Sequence, residues 1–183
     1  VHEQNSIPGL ANRKLGKIVD RVCISLPGSE SYFPVDKVVH TGNPVRKNIL
    51  DLVGQKRNGN QPDKLTLLVL GGSQGAQRLN TLVAEAFLLP DHNLSSKISL
   101  IHQTGEKDAA KVEELYQKNG IRATVKPFFE KMDEVYAKAD LLVSRAGATT
   151  LSEIAVLGKP ALLVPYPYAA DNHQTRNGEY YVQ

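Results

Sequence analysis

The sequence predicts an α/β fold in which a parallel sheet carries helices on both of its faces. From Lys64 onward, short apolar segments alternate with longer segments of helical period. The short segments are apolar along their whole length, which is typical of parallel strands covered on both sides. A succession of such strand and helix units favours a parallel sheet over an antiparallel one.

The strand and helix units continue from Lys64 to Pro167. The first strand, Leu65–Leu70, precedes a helix that has one apolar face. That face is formed by residues three and four positions apart: Leu79, Leu82, Val83, Ala86 and Phe87. The later segments alternate between strand and helix, starting with a strand: SKISLIHQTG, EKDAAKVEELYQKNG, IRATVKPF, EKMDEVYAKA, DLLVSRAG, ATTLSEIAVLG and KPALLVPYP.

A different pattern precedes these units. HEQNSIPGLANRKLGKIV predicts a loop and a helix, and RVCISL and KVVHTG predict two short strands. Asn43-Pro44 then breaks the chain, and the polar stretch 54–63 is typical of a surface loop. We therefore expect a domain boundary after Gly42, with residues 1–42 ending one domain and residues 43–183 forming most of a second. Because Val1 is not Met and the last predicted helix has no capping residue, we expect a fragment truncated at both ends.

Composition excludes several classes of function. Of the 183 residues, 22 are Lys or Arg and 19 are Asp or Glu, so the net charge is only +3. This charge is spread evenly, and we expect no nucleic-acid partner. The single cysteine, Cys23, cannot form an internal disulfide. No apolar run approaches the ~20 residues that a membrane-spanning helix needs.

The stretch LTLLVLGGSQGAQRLN, Leu65 to Asn80, contains the first candidate ligand site. A buried strand ends in glycines there, and the N–H groups at the start of the next helix favour an anion. The glycine spacing matches neither the triphosphate-binding loop nor the dinucleotide fingerprint. A phosphate or diphosphate could still be held by backbone N–H groups and the Ser73 hydroxyl. The alternative is that the glycines serve only a tight turn.

The second candidate is SRAGATTLSE, Ser144 to Glu153. Thr150 and Glu153 have the spacing of a capping box, in which Glu153 would accept the Thr150 N–H at the start of the helix. The alternative is that the Glu153 carboxylate accepts the two hydroxyls of a ribose, as acidic residues do in nucleotide sites. The two roles use the same oxygens but do not exclude each other.

The third candidate is the polar cluster at the start of the helix after the last strand. It contains Asp171, Asn172, His173, Gln174 and Arg176. Amide and imidazole groups can bind sugar hydroxyls, although a solvated helix face would have the same composition. Because the carboxyl ends of parallel strands meet at one edge of a sheet, we expect the three candidates to form one site.

Four motifs in this order resemble one bacterial family over the whole chain: HEQNSIPGLANRKL, TGNPVR, GGSQGAQRLN and SRAGATTLSEIAVLGKPALLVPYPYAADNHQTRN. The family is MurG, the UDP-N-acetylglucosamine transferases of peptidoglycan synthesis. The resemblance implies two Rossmann-like domains facing across a cleft, the GT-B arrangement, of which this chain holds the C-terminal, donor-binding half. It also implies inverting transfer of N-acetylglucosamine from UDP-N-acetylglucosamine to lipid I, which forms lipid II.

The same resemblance implies roles for individual residues. Ser73 and Arg46 would contact the donor diphosphate, and Asn5 would reach the donor from the first domain. Gln174 would recognise the N-acetylglucosamine hydroxyls, with His173 as a less certain contact because some members carry glutamine there. The nucleotide would be lined by one segment, in which Glu153 binds ribose: Ala148, Thr149, Thr150, Leu151, Ser152 and Glu153. The backbone of Phe129 would hold the uracil edge, and Met132 would pack nearby.

Other expected features of the family are missing from these residues. The glycine-rich segment with the histidine that would activate the acceptor is not in this chain, so no catalytic base can be named and the isolated fragment is expected to be inactive. The membrane-facing patch is largely missing too, although the resemblance implies a peripheral protein on the cytoplasmic face of the inner membrane. We expect no cofactor and no metal, since the sequence has no Asp-x-Asp pair and no zinc-helix spacing.

Two other functions are compatible with these motifs. One is a non-catalytic module that binds UDP-N-acetylglucosamine for a partner subunit of a transferase. The other is an enzyme similar to UDP-N-acetylglucosamine 2-epimerase, which would need acidic groups for elimination at the sugar, where the third candidate offers amides.

Overall fold

The structure is a computed structural model that describes residues 1–55, 64–72, 76–89 and 94–182. The chain divides into two compact units. Unit 1 comprises Val1–Arg46, Ala146–Val156 and Pro165–Gln183, and unit 2 comprises Lys47–Arg145 and Leu157–Val164. The expected domains, residues 1–42 and 43–183, stay a prediction.

Unit 1 contains a small parallel sheet in the order β1-β2-β3. Its strands are β1 (His2–Glu3), β2 (Val22–Ile24) and β3 (Val38–His40). The sequence predicted β2 and β3 but not β1, which is only two residues long. Val22, Ile24 and Phe33 form the apolar core of this sheet.

The helices of unit 1 come from both ends of the chain. They are α1 (Leu10–Leu15), most of α7 (Ala148–Leu157) and α8 (His173–Val182). Short 3-10 helices cover Ser29–Tyr32, Val35–Lys37 and Ala170–Asn172. The last of these leads directly into α8.

Unit 2 contains the predicted parallel sheet, which has five strands in the order β6-β5-β4-β7-β8. Its strands are β4 (Leu65–Leu70), β5 (Ile98–Gln103), β6 (Ala123–Lys126), β7 (Leu141–Ser144) and β8 (Ala161–Leu163). Its helices are α2 (Lys47–Leu50), α3 (Gln77–Leu88), α4 (Leu94–Lys97), α5 (Ala109–Lys118) and α6 (Met132–Lys138). The predicted alternation of strands and helices is therefore confirmed.

Strand β4 is the centre of this sheet and is buried from Thr66 to Leu70. Leu67 and Val69 belong to the core cluster shared with α3 and α5. Leu68 and Leu70 point to the opposite face, because successive side chains of a strand alternate, and both are buried. This two-sided burial is the reason why the strand carries almost no polar residues.

The buried face of α3 differs from the predicted one. Leu79, Val83 and Phe87 are buried as expected, but Leu82 is 41% exposed and Asn80 is only 1% exposed. Asn80 is buried because its amide donates to the Thr104 carbonyl and to Asp108. Asn80 therefore joins Leu79, Val83, Ala84 and Phe87 on the buried face of this helix.

Candidate functional site

The three candidate stretches follow strands that are neighbours in the sheet. Leu70 at the end of β4 pairs with Ser144 at the end of β7, which pairs with Leu163 at the end of β8. The strands are parallel, so their carboxyl ends lie side by side at one edge of unit 2. Ligands of parallel α/β sheets bind at this kind of edge.

The glycine turn after β4 is described up to Gly72 and again from Ala76. The Gly71 N–H donates to the Gln103 carbonyl at 3.3 Å, and Gly72 has a φ of 85°. A residue with a Cβ would be strained at this positive φ, which explains the second glycine. Ser73 lies outside the described residues, so its predicted diphosphate contact stays a prediction.

Gln103 connects the glycine turn to the predicted uracil site. Only 5% of the Gln103 residue is exposed. Its Oε1 accepts the Phe129 N–H at 3.0 Å, and its Nε2 makes a long 3.5 Å contact with the Gly72 carbonyl. The Phe129 N–H is thereby occupied, which leaves the backbone carbonyl as the group that could meet a base. Met132, at the start of α6, is buried.

Helix α7 begins earlier than the capping-box interpretation requires. Its first residue is Ala148, and the Leu151 N–H donates to the Gly147 carbonyl at 3.0 Å. Thr150 therefore lies inside the first turn and does not precede the helix. The capping-box prediction is wrong, because a capping box needs its first residue at the N-cap position and Thr150 lies within the helix.

The residues of the first α7 turns differ in what they can offer a ligand. The side chains of Ala148 and Leu151 are buried, with 5% and 1% exposure. Any ligand contact from these two residues would use the backbone. Thr149 is exposed, and the Ser152 hydroxyl donates to the Ala148 carbonyl at 2.9 Å.

Arg46 and Glu153 form an ion pair within unit 1. The Arg46 Nε and Nη2 atoms each lie 2.9 Å from Glu153 Oε1. The Glu153 side chain is 13% exposed and the Arg46 side chain is 49% exposed. Two residues that are 107 positions apart, and to which the resemblance assigns donor contacts, thus lie together.

Asn43 holds the GNPVR segment against the first turn of α7. Its Nδ2 contacts the Ser152 hydroxyl at 3.0 Å and the Ala148 carbonyl at 3.4 Å. Its Oδ1 accepts the Ser25 hydroxyl at 2.8 Å, so the amide orientation is set by its partners. The sequence predicts a chain break at Asn43-Pro44 but not this contact, because the partner is more than 100 residues away.

Asn5 is held by groups on both sides. The buried Glu3 carboxylate accepts the Asn5 N–H at 2.9 Å and the Asn5 Nδ2 group at 3.2 Å. On the other side, Asn177 Nδ2 donates to Asn5 Oδ1 at 2.9 Å. Sequence analysis assigned no role to Glu3 or Asn177. The HEQN motif gave a signal for Glu3, whereas nothing in the sequence singles out Asn177.

The start of α8 contains the predicted sugar contacts. Gln174 Oε1 accepts the Tyr166 N–H at 2.9 Å, which leaves the Gln174 amide N–H groups to donate. The imidazole Nδ1 of His173 lies 2.8 Å from the Ala170 carbonyl. Asp171 and Asn172 have φ angles of 51° and 55°, a conformation that Asp and Asn tolerate better than most residues.

Among the residues that the structure describes, no group of three or more His, Cys, Asp or Glu side chains could hold a metal ion. In the same part of the chain, no helix has both the length and the apolar character needed to cross a membrane.

Comparison with known proteins identifies relatives over the whole chain. Residues 66–183 match the glycosyltransferase family 28 C-terminal domain. A relative from Desulfotalea psychrophila, named UDP-N-acetylglucosamine--N-acetylmuramyl-(pentapeptide) pyrophosphoryl-undecaprenol N-acetylglucosamine transferase, is 61% identical over 183 residues. A relative from Geobacter sp. strain M21 with the same name is 49% identical over 180 residues.

These alignments cover 100% and 98% of this chain but 49% and 48% of the relatives. The chain therefore spans about half the length of the curated relatives it matches. The crystal structure of Acinetobacter baumannii MurG is 33% identical, with a TM-score of 0.70, and the match covers 98% of this chain and 49% of that one. Together these matches confirm the predicted GT-B type of fold, and the chain belongs to glycosyltransferase family 28, with its residues 66–183 matching the C-terminal domain of that family.

Proposed function

We propose that this chain is the donor-binding part of an inverting glycosyltransferase that moves N-acetylglucosamine from UDP-N-acetylglucosamine to lipid I and so forms lipid II of peptidoglycan. The chemical basis is attack of the muramoyl 4-hydroxyl on the anomeric carbon, with loss of UDP. The names of the relatives at 61% and 49% identity support this substrate pair.

The observation that carries the proposal is the Arg46–Glu153 pair. A carboxylate at the first turns of α7 can accept the vicinal hydroxyls of a ribose, and the guanidinium fixes its position at 2.9 Å. The guanidinium has five N–H donors, and the pair uses the Nε–H and one Nη2–H. The remaining donors, on a side chain that is 49% exposed, suit a diphosphate.

Stabilisation of the departing diphosphate is the catalytic contribution that these residues could make. Negative charge grows on the diphosphate as the bond to the anomeric carbon breaks. Donors placed at this charge stabilise the transition state more than the ground state. We assign this role to Arg46, to the N-terminus of α3 and to Ser73, with Asn5, Gln174 and His173 on the sugar side.

We further propose that the protein works at the cytoplasmic face of the plasma membrane as a peripheral protein. The reason is the acceptor, whose undecaprenyl chain stays in the bilayer. No catalytic base and no membrane-binding surface are assigned to the residues of this chain.

Calorimetric titration of the chain with UDP-N-acetylglucosamine tests the proposal, with ATP and NADH as controls. We expect binding of the UDP-sugar and at least tenfold weaker binding of both controls. A folded chain that binds none of the three, or all three equally, would contradict the proposed function.

A further inference from the structure

A series of hydrogen bonds in unit 1 runs from strand β1 to the first turns of α7. It passes through Ser25, which is 7% exposed, and through the half-buried Asn43. Asn43 lies three residues before Arg46, and Ser152, its partner in α7, directly precedes Glu153. The series therefore connects the two short segments that carry the Arg46–Glu153 pair.

The direction of the first bonds is determined by the Gly42 carbonyl. This carbonyl can only accept, and His2 Nε2 lies 3.1 Å from it, so Nε2 carries a hydrogen. The same Nε2 lies 3.0 Å from Ser25 Oγ, which therefore accepts from His2. The single Ser25 hydroxyl proton is donated to Asn43 Oδ1 at 2.8 Å. The Asn43 atom on this side must be the oxygen, because a donating hydroxyl needs an acceptor.

The Nδ2 group of Asn43 consequently faces α7. It donates to the Ser152 hydroxyl at 3.0 Å, with longer 3.4 Å contacts to the Ala148 and Gln4 carbonyls. The Ser152 hydroxyl in turn donates to the Ala148 carbonyl at 2.9 Å. Both polar atoms of the Asn43 amide are thus used inside the protein, which suits a residue that positions other groups and does not itself bind a ligand.

Asn43 holds the two backbone segments, whereas the Arg46–Glu153 pair joins only their side chains. The Arg46 side chain is long and 49% exposed, so its guanidinium can reach Glu153 from several backbone positions. Partly exposed ion pairs also contribute little to holding a structure. The short Asn43 side chain, with partners on both sides, allows far less variation in the spacing of the segments.

We propose that Asn43 is a positioning residue of the nucleotide site, which sets the spacing between the ribose contact on α7 and the diphosphate contact of Arg46. This inference rests on the proposed function, because it needs the proposed roles of Glu153 and Arg46. A ligand that bridges both contacts depends on their spacing, whereas a ligand that uses only one of them does not.

The variant Asn43→Ala tests this assignment with two ligands, UDP and uridine. UDP spans both contacts, and uridine has the ribose but no phosphate. We expect about tenfold weaker binding of UDP and a change of less than twofold for uridine. The matched control is Ser29→Ala, which removes a buried hydrogen bond to the Leu26 carbonyl in the same unit. It should lower the melting temperature and change the UDP affinity less than twofold.

A double variant separates positioning from a general structural effect. If Asn43 acts through Arg46, then Asn43→Ala added to Arg46→Ala should weaken UDP binding less than twofold beyond Arg46→Ala alone. Losses that multiply in the double variant, an equal loss for UDP and uridine, or a folded Asn43→Ala chain that binds UDP within threefold of the unmodified chain would overturn the assignment.

A second measurement, on the unmodified chain, does not depend on whether the variants fold. In ¹⁵N-resolved NMR spectra we expect bound UDP to shift the Arg46 Nε–H signal and to leave the Asn43 side-chain amide signals in place, because the partners of that amide all belong to the protein. An unmoved Arg46 signal, or a larger shift at Asn43 than at Arg46, would overturn the inference although UDP binding keeps the proposed function. If the folded chain binds neither UDP nor UDP-N-acetylglucosamine, the proposed function fails and this inference fails with it.

Discussion

At the scale of the residue, Glu153 illustrates how two roles of one carboxylate can be distinguished. The capping role is excluded because α7 begins at Ala148. The carboxylate is instead paired with Arg46, and its side chain is only 13% exposed. The ribose role of Glu153 stays a prediction.

We expect Glu153→Gln to weaken UDP binding about tenfold, because a charge-assisted hydrogen bond is replaced by a neutral one. Calorimetric titration with UDP gives the affinity. The matched control is Glu114→Gln, which breaks an exposed pair with Lys118 on α5 and should leave the affinity unchanged. Unchanged UDP affinity in Glu153→Gln, together with a lower melting temperature, would show that the carboxylate is only structural.

Gln174 allows a test of sugar recognition. Its Oε1 is used by the Tyr166 N–H, so a sugar would be bound by its amide N–H groups. We expect Gln174→Ala to weaken UDP-N-acetylglucosamine binding about tenfold and UDP binding less than twofold. Gln117→Ala, on the exposed side of α5, is the control. An equal loss for UDP and the UDP-sugar would refute the assignment to the sugar.

At the scale of the element, α1 ends where a glycine is required by packing. A Cβ at Gly16 would lie 2.5 Å from Phe33 Cδ1, whereas a Cβ at Gly9 would have no neighbour within 4 Å. Phe33 is part of the core of the unit 1 sheet and is only 7% exposed. The two glycines that flank α1 therefore have different functions.

We expect Gly16→Ala to lower the free energy of unfolding by about 1–3 kcal/mol, because the methyl group overpacks the site. Gly9→Ala should change it by less than about 1 kcal/mol, since Gly9 has an ordinary φ of −65°. Urea unfolding of both variants gives these values. Equal losses in both variants would show that the Gly16–Phe33 contact is relieved without cost.

Element prediction succeeded where periodicity was strong and failed where a distant polar partner intervened. The long apolar run of β4 identified a strand covered on both faces, because two-sided burial requires apolar residues throughout. The face of α3 was misassigned at Leu82, since Asn80 is drawn inward by Thr104 and Asp108. Such partners cannot be read from the spacing of apolar residues within one helix.

At the scale of the whole molecule, a buried network couples α3 and α5 to the central sheet. His102 is 0% exposed, with Nε2 3.0 Å from Asn80 Oδ1 and Nδ1 2.9 Å from the Tyr116 hydroxyl. Asn80 Nδ2 is used as a donor, so its oxygen must accept the His102 Nε2–H. The Tyr116 hydroxyl then donates to Nδ1, and the imidazole is neutral.

Burial lowers the pKa of His102 from 6.5 to about 4, although the nearby Asp108 raises it in part. In the unfolded chain the His102 imidazole therefore takes up a proton near pH 6.5. In the folded chain it takes up that proton only at a pH of about 4. Between these values protons favour unfolding, so the stability present above pH 6.5 is lost as the pH falls towards 4. At 1.36 kcal/mol for each pKa unit, the loss is about 3 kcal/mol.

We expect His102→Gln to lower stability at neutral pH but to flatten its decline between neutral and acidic pH. Urea unfolding at several pH values measures this slope. The control His40→Gln, at an exposed histidine, should keep the slope of the unmodified chain. A slope in His102→Gln as steep as that of the unmodified chain would mean that other groups cause the acid sensitivity.

The sequence by itself determined the class of fold, the order of strands and helices, and the family, because these depend on local periodicity and on contiguous motifs. Only the tertiary structure decided that Arg46 pairs with Glu153, that Gln103 contacts the Phe129 backbone, and that Asn177 donates a hydrogen bond to Asn5. Hydrogen bonds between residues 26 to 172 positions apart determine these arrangements. The physical reason is that the sequence does not specify whether an amide or carboxylate side chain faces water or a buried partner. Only folding selects the partner.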